Sequence, residues 1–253
     1  MVPIFVKKNP MKCYREIFSV KSYETDHNGL FKPFSFLNHA QEMANIHAHT
    51  LGFGYDNLIS TGVVWVLSRF HIKFQRLPVW KEEVSMETWH KGSDRLFGFR
   101  DFLAHDSGNN EIISATSSWL IIDYKTRRLQ KIESILGTSF KGENQKDAIQ
   151  EPAERLTSPK EMAFSRTRVV SLSDLDINGH TNNARYFEWA IDSLPLELTK
   201  EMTIREMWLN FNNESLPGES VDLYTSVDPD IFIEGKRGDT SIFQLKIKGQ
   251  PIG

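Results

Sequence analysis

Cysteine and long apolar runs are scarce in this chain. Cys13 is the sole cysteine among 253 residues, which excludes an internal disulfide and a cysteine-rich metal site. The longest apolar run, 63–67, is far shorter than the about 20 residues that a membrane helix needs. The segment before Lys7 and Lys8 is too short for the core of a signal peptide. We therefore expect a soluble, cytoplasmic protein with no membrane span.

An excess of charge of one sign is also missing. The 30 Lys and Arg residues nearly balance 33 Asp and Glu residues, so the net charge is −3 and no nucleic-acid footprint is present. Hydrophobic residues make up 40% of the chain, which is enough for two small domains or one large one. The 6 Trp and 17 Phe residues predict large apolar cores, an apolar ligand, or both.

The apolar pattern predicts the same order of elements on either side of a polar segment. Residues 141–160 contain Pro152 and Pro159 and are interpreted as a linker between domains 1–140 and 161–253. Each half begins with a strand and a helix and continues with strands. The first half has a strand at 12–22, a helix at 34–51 and strands at 63–74, 83–90, 96–105 and 111–124. The second half has a strand at 162–171, a helix at 183–194 and strands at 202–212, 220–227, 231–234 and 241–248. This order predicts an α+β fold in which each half packs an antiparallel sheet against one helix.

Two pairs of matching stretches indicate that the halves are copies. Asp-His-Asn-Gly-Leu at 26–30 precedes the first helix, and Asp-Ile-Asn-Gly-His at 176–180 precedes the second. Residues 74–84 and 211–221 each begin with Phe, contain a Leu-Pro pair and end with Val. The copies differ at two positions that could carry chemistry. In the first half, Leu30 occupies the position of His180, and Leu77 occupies the position of Glu214.

The second half therefore carries an acid, an amide, an imidazole and a second acid, at Asp176, Asn178, His180 and Glu214. A carboxylate and an imidazole together can activate a water molecule. An amide can orient either group or bind a carbonyl oxygen. In an extended segment, residues 176, 178 and 180 would point the same way. The first N–H groups of the second helix would face the same space and suit an oxyanion.

Two other interpretations of this segment compete with a catalytic one. Asp-x-Asn-Gly is itself a good turn sequence because Asn and Gly tolerate a positive φ, so the motif also fits a structural turn. Residues 174–179 match the first six positions of a calcium-binding EF-hand loop. Arg185 occupies the twelfth position, where Glu is needed, and the preceding residues favour a strand over an entering helix. The pattern thus argues against calcium.

Several stretches in both halves carry a family resemblance. They are residues 65–69, 76–80, 88–89, 100–101, 117–119 and 126–132 in the first half, and 174–183 with Tyr186 in the second. Together they resemble the acyl-acyl carrier protein thioesterases of plants and bacteria over nearly the whole chain. The motif at 174–183 is the most specific of these stretches. The short length and the missing transit peptide resemble the bacterial members.

The resemblance implies a double hot-dog fold, in which each of two fused sheets wraps around one helix. It implies hydrolysis of the thioester between a fatty acyl chain and the phosphopantetheine arm of acyl carrier protein, which releases free fatty acid and holo carrier protein. The family's catalytic Asp, Asn, His and Glu fall on Asp176, Asn178, His180 and Glu214. Family members often have Cys directly after this Glu, once proposed as a nucleophile, where this chain has Ser215.

Family and residue evidence agree on possible roles for these groups. We assign Glu214 and His180 to water activation, Asn178 to positioning, and Asp176 to orientation or to direct attack through an anhydride. No cofactor or metal is expected. The first half has Leu at two matching positions and can offer an apolar wall. Because the family places chain-length control there, we expect an acyl pocket that includes Met43, Ala44 and Trp65.

Carrier proteins of this kind are acidic, so docking on a mildly acidic chain needs a local basic patch. The densest basic stretch contains Lys125 and the three docking candidates Arg127, Arg128 and Lys131. A second candidate stretch contains Arg166 and Arg168, and a solvated turn explains the first stretch equally well. A homodimer is also expected.

Two alternative functions remain on the same fold. One is an acyl-coenzyme A thioesterase, and the other is a non-catalytic acyl-binding protein. The acid, amide and imidazole retained in the second half argue against the latter.

Overall fold

The computed structural model describes residues 12–137, 146–200, 202–228 and 230–251. In these residues the strands are β1 Tyr14–Ser19, β2 Val63–Phe74, β3 Glu83–Ser93, β4 Phe97–His105, β5 Glu111–Asp123, β6 Leu129–Gln130, β7 Ala163–Val169, β8 Met202–Phe211, β9 Ser220–Ser226, β10 Ile231–Arg237 and β11 Thr240–Pro251. The α-helices are α1 Pro33–Thr50, α2 Tyr55–Ile59, α3 Ile132–Leu136, α4 Asn183–Asp192 and α5 Leu196–Lys200. The predicted α+β class is confirmed.

The chain divides into two compact units. The first comprises Met1–Ser68 and Gln75–Pro152, and the second comprises Arg69–Phe74 and Ala153–Gly253. The boundary after Pro152 falls inside the predicted linker 141–160. The functional roles assigned to the two halves stay predictions.

In the first unit, the antiparallel sheet has the strand order β1-β3-β4-β5-β2, and β6 pairs with β5. Helix α1 begins at Pro33, whose fixed φ suits the first turn. Its buried stripe includes Phe36, Ala40 and Met43, and the Phe36 ring packs edge-on against Phe102 of β4. The helix therefore buries its apolar face on the sheet, as the periodicity predicts.

In the second unit, residues 69–73 of β2 pair with β8, and the sheet continues as β11, β10, β9 and β7. Helix α4 packs on β10 and β11. Its buried Tyr186 lies with its ring centroid 5.0 Å from that of Phe243 on β11 and makes an edge contact with Trp189. These large rings form much of the core of this unit.

Residues 146–160, the described part of the predicted linker, make hydrogen bonds to buried side chains of the units to which they belong. The indole of Trp89 donates to the Lys146 carbonyl at 3.0 Å, and the Ala148 amide donates to Asp101 at 2.8 Å. In the second unit, the Leu156 amide donates to the Asn210 side chain at 2.8 Å. Residues 141–145 lie outside the described residues, as do residues 1–11 at the start of the chain.

The described helices are all too short or too polar to cross a bilayer.

Candidate active site

Residues 176–180 form a tight turn held by the Asp176 carboxylate. Its Oδ1 accepts hydrogen bonds from the backbone amides of Asn178 at 2.8 Å and His180 at 3.2 Å. The Asp176 amide donates to the His180 carbonyl at 2.8 Å, and Gly179 has a φ of +77°. The sequence folds this way because Asp can bond its own following backbone and Gly adopts the left-handed conformation. The segment is therefore not extended, and the expected alternation of residues 176, 178 and 180 is wrong.

The first unit contains the same turn at residues 26–30. Asp26 Oδ1 accepts from the amides of Asn28 at 2.8 Å and Leu30 at 2.9 Å, and the Asp26 amide donates to the Leu30 carbonyl at 2.8 Å. The first unit forms this turn with Leu30 in place of a histidine. The hydrogen bonds of Asp176 are therefore explained by the turn itself and are not evidence of a catalytic role. The turn interpretation of Asp-x-Asn-Gly is thus correct for the backbone in both units.

Hydrogen bonds to the neighbouring loops show which residues are equivalent. The Phe31 amide donates to the Pro78 carbonyl at 2.8 Å, as Thr181 does to Ser215 at 3.1 Å. Leu77 therefore corresponds to Glu214, and Leu30 corresponds to His180. The Leu-Pro pairs at 77–78 and 216–217 do not correspond, because residues 77–78 match 214–215. The predicted correspondence of Leu30 with His180 and of Leu77 with Glu214 is confirmed, although the shared Leu-Pro pair gives no support to it.

His180 and Glu214 are brought together in the second unit. His180 Nδ1 lies 3.6 Å from Glu214 Oε1, and the two side chains are 23% and 35% exposed. Asn178 Nδ2 lies 3.4 Å from Asp176 Oδ2. A half-buried imidazole beside a carboxylate can accept and return a proton, while both groups stay within reach of water. The four predicted site residues thus lie on one turn and the loop before β9.

The start of α4 differs from the sequence-based expectation. Asn182 is the N-cap residue, and its side-chain oxygen accepts from the Ala184 amide at 2.9 Å. The Asn182 amide itself donates to the Asp174 carbonyl at 2.8 Å. These two donors are consequently engaged by the protein and cannot stabilise an oxyanion.

Ser215 is fully buried and holds the Glu214 loop to helix α4. Its hydroxyl lies 2.7 Å from Thr181 Oγ1 and 2.9 Å from the Tyr186 hydroxyl, and its amide donates to Tyr186 at 3.1 Å. Burial raises the pKa of Tyr186 above its usual range, so the phenol stays protonated at neutral pH. The Ser215 hydroxyl is thus buried and engaged in hydrogen bonds with Thr181 and Tyr186, which argues against a role as nucleophile.

Sequence reasoning missed the role of Arg237. Its Nη1 donates to the Glu214 carbonyl at 3.3 Å and to the Glu219 carboxylate, while Glu219 accepts from the Leu216 amide at 2.9 Å. Arg237 therefore anchors the loop that presents Glu214. In the sequence it stands in an Arg-Gly-Asp hairpin turn, which gives no signal for this contact.

The predicted acyl-pocket residues lie inside the first unit. Met43 and Ala44 are buried on α1. Trp65 is half-buried and packs against the cluster Leu58, Val63, Ile121 and Ile132, while its indole donates to the Phe53 carbonyl at 3.0 Å. All three are positions where an apolar ligand or ordinary core packing would be expected, so their role stays a prediction.

The predicted docking residues Arg127, Arg128 and Lys131 are exposed. They surround the β5–β6 turn, where Asp123 Oδ1 accepts from the Thr126 amide at 2.7 Å and Arg127 has a φ of +58°. The turn presents the cations to solvent. Both interpretations of this stretch, carrier-protein docking and a solvated turn, agree with that exposure. In the alternative stretch, Arg168 lies 3.8 Å from Asp192, whereas Arg166 is exposed.

Within the described ranges, His, Cys, Asp and Glu side chains form no group of three or more that could hold a metal ion.

Both units pack one main helix against an antiparallel sheet and precede that helix with the same Asp-x-Asn-Gly turn. This arrangement is a double hot-dog fold. The acyl-ACP thioesterase N-terminal domain profile matches residues 11–136, and the corresponding C-terminal domain profile matches residues 157–250. The chain belongs to the acyl-ACP thioesterase family.

Individual relatives agree with this assignment. Oleoyl-acyl carrier protein thioesterase 1, chloroplastic, of Arabidopsis thaliana is 30% identical over 240 residues, which cover 86% of this chain and 65% of that protein. The chain thus spans just under two thirds of that relative's length. An acyl-ACP thioesterase structure from Bacteroides thetaiotaomicron has a TM-score of 0.85 and 28% identity, covering 94% of this chain and 98% of its own. The 12:0-ACP thioesterase of Umbellularia californica, at 22% identity and a TM-score of 0.82, shares the fold over 96% of this chain and 98% of its own.

Proposed function

We propose that this protein hydrolyses fatty acyl-acyl carrier protein thioesters and releases free fatty acid and holo carrier protein. The observation that carries the proposal is the placement of His180 and Glu214, with 3.6 Å between Nδ1 and Oε1, at positions where the equivalent turn has Leu30 and Leu77. A turn with the same hydrogen bonds in both units lies beside a proton-transfer pair in one of them.

In the proposed reaction, Glu214 and His180 activate a water molecule that attacks the thioester carbonyl. A proton-transfer group of this kind contributes roughly 10²–10⁴-fold to the rate. His180 then returns the proton to the departing thiolate. Asn178 orients the carbonyl or a carboxylate, and Asp176 holds the turn that presents His180.

Direct attack by a carboxylate is the competing chemical route. It would form an anhydride on Asp176 or Glu214, which water then hydrolyses. Single-turnover hydrolysis in heavy-oxygen water distinguishes the routes, because label recovered in an enzyme carboxylate supports the anhydride. Label recovered in the fatty acid alone excludes an anhydride that water opens at the enzyme carboxyl carbon, and it is the result expected for direct attack by water.

We propose that the acyl chain binds in the first unit, where Met43, Ala44 and Trp65 lie. Larger or smaller side chains at these positions should change the length of the acid released more than the total turnover. Each is also a packing position, where an oversized side chain costs about 1–3 kcal/mol of stability. Unchanged product lengths in several folded variants would contradict this assignment.

We propose that the acidic carrier protein docks on the exposed cations Arg127, Arg128 and Lys131. The double variant Arg127→Glu and Arg128→Glu should raise KM for carrier-protein substrates and weaken the salt dependence of KM. Lys160→Glu, at an exposed cation of the second unit outside both candidate stretches, is the control and should leave KM unchanged. An equal loss on a small soluble thioester would indicate misfolding instead of lost docking.

The decisive experiment compares turnover of carrier-protein and coenzyme A thioesters across acyl chain lengths. A higher kcat/KM for the carrier-protein series supports the proposal, and the reverse preference indicates an acyl-coenzyme A thioesterase. Binding without turnover of either series indicates an acyl-binding protein. His180→Ala is the control for background hydrolysis. The cytoplasmic location and the homodimer stay predictions, which cell fractionation and sedimentation analysis test.

A further inference from the structure

The loops before β3 and β9 are closed by equivalent carboxylates. Glu82 accepts a hydrogen bond from the Val79 amide at 2.9 Å and donates its own amide back to the Val79 carbonyl at 3.0 Å. Glu219 forms the same two bonds with Leu216, at 2.9 Å and 3.1 Å. Glu82 therefore corresponds to Glu219, and each carboxylate holds its loop closed.

Each of these carboxylates pairs with an arginine, but the arginine comes from a different position in each unit. In the first unit, Arg76 donates to Glu82 at 3.0 Å and 2.5 Å, and to Asp106 at 3.0 Å. In the second unit, Arg237 donates to the carboxylate of Glu219. The ion pair is thus retained, whereas the element that supplies the cation has changed.

Arg237 occupies the position of Asp106. Strands β4 and β10 each pair with the strand that follows the loop, which is β3 or β9. Both strands carry a bulge near their end, directly after Ala104 in β4 and directly after Gly235 in β10. Asp106 lies two residues after Ala104, and Arg237 lies two residues after Gly235. A carboxylate in the first unit is therefore replaced by a guanidinium in the second.

The exchange of charge brings the cation to the residue that matters for chemistry. The position of Arg76 is taken by Asn213, which stands directly before Glu214. The guanidinium of Arg237 approaches from β10 instead, and its Nη1 donates both to the Glu219 carboxylate and to the Glu214 carbonyl, the latter at 3.3 Å. A single nitrogen thus links the backbone of Glu214 to the carboxylate that closes the loop.

The peptide group after Glu214 is held on both of its sides. Its carbonyl accepts from Arg237, and its amide, which belongs to Ser215, donates to the Tyr186 hydroxyl at 3.1 Å. Because a peptide group is planar, two such bonds fix its orientation and with it the direction of the Glu214 side chain. That side chain lies with Oε1 3.6 Å from Nδ1 of His180.

We propose that Arg237 is a positioning residue, which fixes the peptide group after Glu214 and so holds the Glu214 carboxylate beside His180. The inference rests on the proposed function, because it gives Glu214 a part in hydrolysis. Arg237 acts through Glu214 and does not touch the reacting atoms. Its role goes beyond that of Arg76, which closes the loop that carries Leu77.

The first test is Arg237→Gln, assayed on a carrier-protein thioester. We expect kcat to fall about 10-fold or more, since a misplacement of about 1 Å can cost about 100-fold. KM should change little, because no group that binds the substrate is removed. Arg237→Lys should recover most of kcat, since both contacts come from one nitrogen that an ammonium can replace. Arg76→Gln removes the matched arginine of the first unit and should leave kcat unchanged.

A charge exchange separates positioning from loop closure. The double variant Asn213→Arg and Arg237→Asp gives the second unit the arrangement of the first, so Glu219 keeps an arginine partner while the Glu214 carbonyl loses its donor. Denaturant unfolding should show a stability at or above that of Arg237→Gln, with kcat as low as in that variant. A wild-type kcat in the double variant would overturn the inference, because closing the loop would then be sufficient.

Other results would also contradict the inference. They are an equal loss of kcat in Arg76→Gln, or a loss in Arg237→Gln that falls on KM alone. If Arg237→Gln does not fold, the remaining variants decide: low kcat in the charge exchange with recovery in Arg237→Lys supports the inference, and any other pattern overturns it.

Failure of the proposed function gives a different result. Wild-type protein that hydrolyses none of the thioesters refutes that function alone. Crystal structures of the wild type and of Arg237→Gln then test the inference without turnover. The variant should show Glu214 Oε1 displaced from its position 3.6 Å from His180 Nδ1, and an unchanged distance would overturn the inference.

Discussion

The turns at 26–30 and 176–180 have the same backbone and different chemistry. In each, an aspartate accepts two backbone hydrogen bonds, and the residue after the turn donates to a loop, which lies before β3 in the first unit and before β9 in the second. One turn presents Leu30 beside the Leu77 loop, whereas the other presents His180 beside Glu214. The comparison separates residues that make the turn from residues that the turn displays. Asp and Gly belong to the first class, and His180 and Glu214 belong to the second.

Removing the displayed groups should have the largest effect. We expect His180→Ala and Glu214→Ala each to lower kcat by roughly 10²–10⁴-fold, because each removes a proton-transfer group. Leu30→Ala and Leu77→Ala are the matched changes in the first unit and should leave most of kcat intact. Steady-state kinetics on purified, folded variants measures the difference. Comparable losses of kcat in the Leu variants would break the one-sided assignment.

Replacing the turn aspartates should affect stability in both units and turnover in one. Asp26→Ala and Asp176→Ala each remove an acceptor of two hydrogen bonds and should lower the free energy of unfolding by about 1–2 kcal/mol. Asp176→Asn keeps an oxygen for those bonds but loses the charge. Denaturant unfolding and kcat together sharpen the comparison. Full activity in Asp176→Asn would show that Asp176 serves the turn alone and that it does not attack the substrate.

Ser215→Ala should have a smaller effect. It removes hydroxyl contacts with Thr181 and Tyr186 behind Glu214. Each hydrogen bond contributes roughly 0.5–1.5 kcal/mol to stability, and because neither involves a proposed reacting group, kcat should fall several-fold at most. Its counterpart in the first unit is Pro78, so Pro78→Ala is the matched control and should leave kcat unchanged. A loss in Ser215→Ala as deep as that in Glu214→Ala would make Ser215 a nucleophile candidate.

Cysteine modification should have the smallest effect. Cys13 lies in the first unit with its sulfur 3.6 Å from Glu87, and burial raises its pKa to about 11. At pH 8 its thiolate fraction is then about 100-fold below that of a thiol with a pKa of 9. Alkylation should be slow, and Cys13→Ser should match the parent in kcat. Mass spectrometry follows the labelling, and rapid loss of turnover on labelling would contradict the assignment.

The main elements of the fold could be predicted because they are long and periodic. Helix α1 carries a buried stripe at helical spacing, and β2 to β5 are runs of 9–13 residues with continuous buried stretches. The five-residue helices α2, α3 and α5 were missed, since each is shorter than two turns and leaves no period to detect. The packing of residues 146–160 was also missed, because its hydrogen bonds come from distant side chains such as Asp101 and Asn210.

The candidate site was predictable in composition but not in geometry. The difference between the copies identified His180 and Glu214, and the structure brings these two together. The turn at Asp176 and the cap at Asn182 depend on local backbone bonds that an extended strand lacks. Arg237 could not be found in the sequence, because its contact with the Glu214 carbonyl arises only when β10 and the loop before β9 meet.

The repeated turn also bears on how such a chain can diversify after duplication. Equivalent hydrogen bonds hold the backbone of the turn in both copies, with Leu30 after one turn and His180 after the other. Substitutions at these positions can therefore remove one reactive pair while the turn keeps its hydrogen bonds. The path back is equally short, at Leu30→His and Leu77→Glu, with no insertion or rearrangement. A duplicated fold of this kind keeps a second site with the same backbone. Selection can replace a reactive pair there by apolar side chains, or the reverse, with little change to the structure.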